Sequence, residues 1–219
     1  MVAGMKVNQL HRAIPAQGVV AGALVLHPWW GLNDDTRAFA DRLAAAGIAA
    51  VAPDLYDGAV ATTIEEADRL STALNEDAAD ALAWAAVDVL GETIGDPSIR
   101  LGAIGFSMGS AWALWLPAHR PEIAASVTYY GSLEGPSLTR ARVPVLGHFA
   151  AADEFEPEES IAAFEKTLRT AGREVEIHRY PGTGHWFAEP SQPAYDPAAA
   201  DLAFERTVAF LKRHLVDGV

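Results

Sequence analysis

The sequence predicts an α/β fold in three layers, with helices covering both faces of a mostly parallel central sheet. Three observations carry that expectation. Short runs of Val, Ile, Leu and Ala alternate with longer amphipathic segments along most of the chain, which is how a strand–helix repeat reads. The first of these runs, 18–27, reads as a buried strand. The amphipathic segments carry capping and stop signals at their ends.

GVVAGALVLH (18–27) reads as the first buried strand, and NDDTRAFADRLAAAG (33–47) as a helix. Asn33 or Asp34 caps that helix and Gly47 stops it. IAAVAPDLY (48–56) is a second strand, followed by helical segments at 63–74 and 75–91. RLGAIGF (100–106) is a third strand and SMGSAWALWLPAHR (107–120) a helix. Strands follow at 125–131, 143–150 and 173–180, with helices at 157–172 and 198–215. The Pro- and Gly-rich segment 181–197 reads as loop. No repeat or low-complexity linker divides the 219 residues, so a single domain over 1–219 is expected.

Half of the residues are apolar and the net charge is −13. So acidic a surface repels phosphate backbones and anionic lipid, which argues against nucleic acid and membrane partners. The absence of cysteine excludes disulfides, thiolate metal sites and a thiol nucleophile. Residues 101–118 are uncharged, but three glycines and two serines break the run, so it reads as strand and helix, not as a span. The first residues lack an apolar signal core, and the expectation is a cytoplasmic protein.

The sharpest local signal is GFSMG (105–109), at the junction of a predicted strand and helix. In an open parallel sheet, ligands bind beyond the carboxyl ends of the strands. A G-x-S-x-G turn at such an end lifts the serine out of the sheet, the flanking glycines leaving room for the close backbone. The bland reading is a glycine-rich turn with a capping serine. A hydroxyl also needs a base, and in this architecture acid and histidine follow the serine in that order, in loops after later strands. Asp153 follows strand 143–150, with Glu154, Glu156 and Glu158 nearby, and His185 follows strand 173–180. His11, His119, His148, His178 and His214 lie before the core, at helix ends or inside strands. The expected catalytic set is therefore Ser107, Asp153 and His185.

With these residues placed, the chain resembles the dienelactone hydrolase family of α/β-hydrolases over nearly its whole length. The resemblance rests on HPWWGLN (27–33), APDLY (52–56), GFSMG, YYG (129–131), GHFAAADEFEP (147–157) and GTGHWFAE (182–189). It implies the three-layer α/β-hydrolase fold and an oxyanion hole formed by the backbone N–H groups of Trp29 and Met108. No metal or organic cofactor is implied. Family members proper carry a cysteine nucleophile and a glutamate after the first core strand, whereas Ser107 and Pro28 stand at those positions here. The family prototype also holds its substrate's carboxylate with arginines. One lies four residues past the histidine, where this chain has Glu189, and no arginine stands around 60–66.

These departures point to a small ester or lactone without a carboxylate as the substrate, cleaved through an acyl-serine intermediate. An acyltransferase or peptidase with the same triad is the enzymatic alternative, and a non-catalytic ligand-binding protein the other. Trp30, Phe106, Tyr130, Trp186 and Glu189 are the expected pocket residues. For the tyrosines of YYG, ordinary strand packing is the competing reading. Glu189 either faces the pocket and repels a substrate carboxylate, or points into solvent as loop glutamates usually do. The sequence leaves the oligomeric state open.

Overall fold

The computed structural model describes residues 10–216. Its strands are β1 (Leu10–Ala13), β2 (Ala21–Leu26), β3 (Ile48–Pro53), β4 (Leu101–Phe106), β5 (Ile123–Tyr129), β6 (Val145–Ala150) and β7 (Val175–Tyr180). They form one seven-stranded sheet in the order β1-β3-β2-β4-β5-β6-β7. Only β1 is antiparallel, pairing with β3 from Leu10 opposite Pro53 to Ala13 opposite Ala50. The other pairs are parallel.

The pleat sorts side chains to two faces. Ala21, Ala23 and Val25 of β2 pack on one face, with Phe39 and Leu43 of α1 (Asp34–Ala45) and Phe210 and Leu211 of α7 (Pro197–Leu215). Leu24 and Leu26 face the other side, against α3 (Glu76–Ile94) and Trp112 of α4 (Ser110–Trp115). The outer strands on that side meet Phe164 and Leu168 of α6 (Glu158–Thr170). Every residue of β2, β3, β4 and β6 is buried, as a sheet covered on both faces requires.

Asn33 is the cap of α1, its side chain accepting from the Thr36 N–H at 3.0 Å. α2 (Ile64–Thr72) and α3 lie where the sequence predicts them. α3 runs beyond Gly91 to end at Gly95, whose φ of +71° is the left-handed stop. The predicted helix over 107–120 is a composite: a 3-10 turn at Ser107–Gly109, α4, and a second 3-10 turn at Leu116–Ala118. Pro117 has no N–H to continue the α ladder. Two elements go beyond the sequence reading: β1, which brings His11 into the sheet, and the short α5 (Pro136–Arg140). The uncharged run 101–118 is divided between β4 and α4. Among the described residues no helix is long and apolar enough to cross a membrane.

A polar chain crosses the core below the loops that follow β5, β6 and β7. Tyr129 Oη and His148 Nε2 lie 2.7 and 3.0 Å from Thr207 Oγ1, and His148 Nδ1 lies 2.8 Å from Tyr180 Oη. Burial holds the His148 pKa well below its ordinary value, so the ring is neutral. His148 is thus a satisfied core histidine. Thr207→Val removes one hydroxyl and leaves two buried partners unmet, which predicts a loss of about 1–3 kcal/mol in urea unfolding. A loss below about 0.5 kcal/mol would show that the chain of hydrogen bonds does not bind the α7 layer to the sheet.

Candidate active site

β4 ends at Phe106, and Ser107 turns the chain back into the helix with φ at +47°. That is left-handed backbone which a serine adopts only under constraint. The constraint is close contact. A Cβ on Gly105 would lie 2.4 Å from the Gly109 carbonyl oxygen, and one on Gly109 would lie 2.4 Å from that of Leu26. Any side chain at either position strikes main chain, so the strand, turn and helix pack this tightly only with glycine at both. Ser110 ties the turn down, its hydroxyl donating to the Gly105 carbonyl at 3.1 Å.

The loops after β6 and β7 bring the other two predicted residues to this turn. Ser107 Oγ lies 2.9 Å from His185 Nε2, and His185 Nδ1 lies 2.7 Å from Asp153 Oδ2. The carboxylate only accepts, so Nδ1 carries the ring proton and Nε2 is left to accept from the serine. Asp153 is itself held: its Oδ1 accepts the N–H groups of Phe155 and Glu156 at 2.9 and 3.1 Å. Its side chain is 1% exposed. Glu156 is engaged elsewhere, accepting from the Ser132 N–H and hydroxyl at 2.9 and 2.8 Å, and Glu154 is exposed. Of the acids in that loop, Asp153 holds the imidazole.

The HPWWG loop after β2 is fixed by a histidine that the sequence reading passed over. His27 is fully buried, donates from Nδ1 to the Pro28 carbonyl at 2.6 Å and accepts the Leu55 N–H at Nε2 at 3.0 Å. Burial lowers its pKa, so it stays neutral and keeps both bonds. It thereby joins the loop carrying Trp29 to the PDLY turn after β3. That turn is closed by Asp54, which accepts the Tyr56 and Gly58 N–H groups. The signal was present in the sequence: HPWW and PDLY stand at the carboxyl ends of neighbouring strands.

The profile of the dienelactone hydrolase family matches residues 10–215. This chain belongs to the dienelactone hydrolase family. It is 32% identical over 205 residues to an Aquifex aeolicus protein described as a candidate carboxymethylenebutenolidase, covering 88% of this chain and 87% of that one. A Bradyrhizobium protein named "Probable 2-oxo-3-(5-oxofuran-2-ylidene)propanoate lactonase" is 31% identical over 219 residues, covering 91% of this chain and 88% of that one. The solved structure of a candidate dienelactone hydrolase from Klebsiella pneumoniae shares the fold at a TM-score of 0.81 and 24% identity. It covers 94% of this chain and 92% of that one. The chain is a hydrolase of this family.

Against the dienelactone hydrolase pattern, the aromatic residues divide. Trp29 stacks on Trp186 at 6.0 Å, and both meet Phe155, whose ring lies 5.0 Å from that of His185. Trp186, beside His185, and Tyr130, directly after β5, hold positive φ, +65° and +40°. Tyr130 is wholly buried with its ring 4.9 Å from His185, so it backs the imidazole. Trp30 is 3% exposed and packs edge-on to Trp29 and Trp186, behind the surface ring. Phe106 corrects the expectation of a pocket residue. Its ring stacks on Tyr129 at 4.6 Å and meets Phe39 at 4.9 Å, because the pleat turns it into the core.

Glu189 corrects both expectations made for it. It is 3% exposed, so it does not point into solvent. Nor does it place a charge at the pocket. Its Oε1 accepts the Tyr130 hydroxyl at 2.8 Å and its Oε2 has no partner. Burial pushes its pKa up to about 8; the Tyr130 hydrogen bond opposes the shift and the Asp35 charge adds to it. At neutral pH the acid is protonated, and the position of the family's arginine is electrically neutral. Below about pH 4.5 the folded and unfolded chains both hold this proton. Between there and about pH 8 only the folded chain retains it, so stability falls as pH rises through that window. Glu189→Gln should flatten that fall in thermal melts at about pH 5, 6.5, 8 and 9, and melting curves parallel to the wild type's would show an ionised Glu189.

Proposed function

We propose that the chain hydrolyses small uncharged esters or lactones through an acyl intermediate on Ser107, with His185 as base and Asp153 orienting it. The observation that carries this reading is the continuous relay from Ser107 Oγ through both nitrogens of His185 to Asp153, on a strained turn at the carboxyl end of β4. Ser107 Oγ attacks the carbonyl carbon while its proton passes to His185 Nε2. Negative charge develops on the carbonyl oxygen, and the backbone N–H groups of Trp29 and Met108 are the donors that receive it. The tetrahedral adduct collapses, the C–O bond to the leaving group breaks, and His185 returns its proton to the departing oxygen. Water then attacks the acyl-serine with His185 again as base, releasing the acid and restoring the hydroxyl.

The serine in place of the family's cysteine fits the proline at the glutamate position. A thiol is handled as a thiolate, whereas a hydroxyl loses its proton during attack. The neutral Glu189 in place of an arginine removes a charge partner for a substrate carboxylate and favours uncharged substrates. We place this activity in a single cytoplasmic domain acting on small molecules.

Ser107→Ala should lower kcat toward p-nitrophenyl acetate by something on the order of 10⁶ in an efficient enzyme. Asp153→Asn should lower it roughly 10⁴-fold by leaving the wrong imidazole tautomer. Retention of most of the activity by Ser107→Ala would overturn the reading, and a silent Asp153→Asn beside a damaging Glu154→Gln would reassign the acid.

A further inference from the structure

Beside the candidate nucleophile lies a cavity that the relay does not use. It has a volume of about 410 Å³, and Met108, the residue after Ser107, forms part of its wall. That size is within the range of small-ligand sites. Met108, Ala111, Trp112 and Trp115 all line it. Their spacing of three, four and seven residues puts them on one stripe leading away from the serine. Leu74, following α2, and Leu133, from the loop after β5, also line it.

The side chains there are held in place. The Tyr56 hydroxyl donates to Met108 Sδ at 3.3 Å, and Trp112 Nε1 donates to Asp80 Oδ1 at 2.7 Å. The charged residues of the lining have one sign: Glu76, Asp80 and Glu134 stand there beside the neutral Ser71, with no basic residue.

The two sides of the serine have different roles. The leaving group must take its proton from His185, so it departs on the side of His185, Phe155 and Trp186, which line a separate hollow. The acyl portion then extends the other way, past Met108.

Resting on the acyl-serine reading above, we infer that this cavity is the acyl subsite, and that the enzyme selects esters of medium-length, uncharged, straight-chain acids. The aliphatic and aromatic walls take the methylenes, and the acidic lining turns away a chain that ends in a carboxylate.

The test is a series of p-nitrophenyl esters from acetate to octanoate, together with the glutarate monoester. In the wild type, kcat/KM should rise about three- to fourfold per methylene over the first carbons added. It should fall at least tenfold from the pentanoate to the glutarate monoester, and less at high salt. Ala111→Trp fills the cavity and should lower the octanoate-to-acetate ratio at least tenfold. Leu133→Trp fills it from the loop after β5 and serves if Ala111→Trp does not fold. A chain-length profile unchanged in both variants, with Ser107→Ala inactive, overturns the acyl subsite and leaves the catalytic reading standing. Equal turnover of pentanoate and glutarate esters overturns the charge selection. An active Ser107→Ala overturns the catalytic reading and the subsite with it.

Discussion

The close approach of backbone at residues 105–109 is the constraint on which the rest of the site depends. β4 and the following helix meet at a distance that main chain alone can occupy, and the strain of that contact falls on Ser107. The core pays for it: β4 is buried over its whole length between β2 and β5. The turn is fixed from the sheet outward, and the later loops bring His185 within 2.9 Å of its hydroxyl. Left-handed backbone recurs around the site, at Tyr130 directly after β5 and at Trp186 beside His185.

Orientation at the site is achieved by saturating hydrogen bonds. Asp153 spends one oxygen on two backbone N–H groups and the other on His185. Neutral His27 uses both nitrogens to join the loops after β2 and β3. Even the acid at the position of the family's arginine is kept neutral by burial. The acidic residues Glu76, Asp80 and Glu134 line the cavity beside Met108, apart from these hydrogen bonds.

Much of this was legible in the sequence. β2, β3, β4 and β6 are largely apolar runs and β7 (VEIHRY) alternates apolar with polar residues, and Ser107, Asp153 and His185 each follow a strand that this patterning marks. β1 was not legible, because LHRA is four half-polar residues whose strand character comes only from pairing with β3. Phe106 read as a pocket residue because it neighbours Ser107, yet the two side chains leave the strand end in opposite directions, one into the core. The neutrality of Glu189 depends on burial, which only the closed loop supplies, and it prevails over a hydrogen bond from Tyr130, fifty-nine positions away in the chain, that favours the charged form. The cavity escaped notice for a similar reason. Leu74, Trp112 and Leu133 come from three separate segments, and only the fold makes them neighbours.

The central claim is that acyl transfer passes through Ser107. The most direct measurement is to treat the protein with a fluorophosphonate ester, count the adducts by intact mass, and locate them by peptide mapping. The account predicts one adduct per chain, on Ser107, with loss of esterase activity in step with labelling. Full labelling at another residue, or full inactivation with Ser107 unmodified, would contradict it.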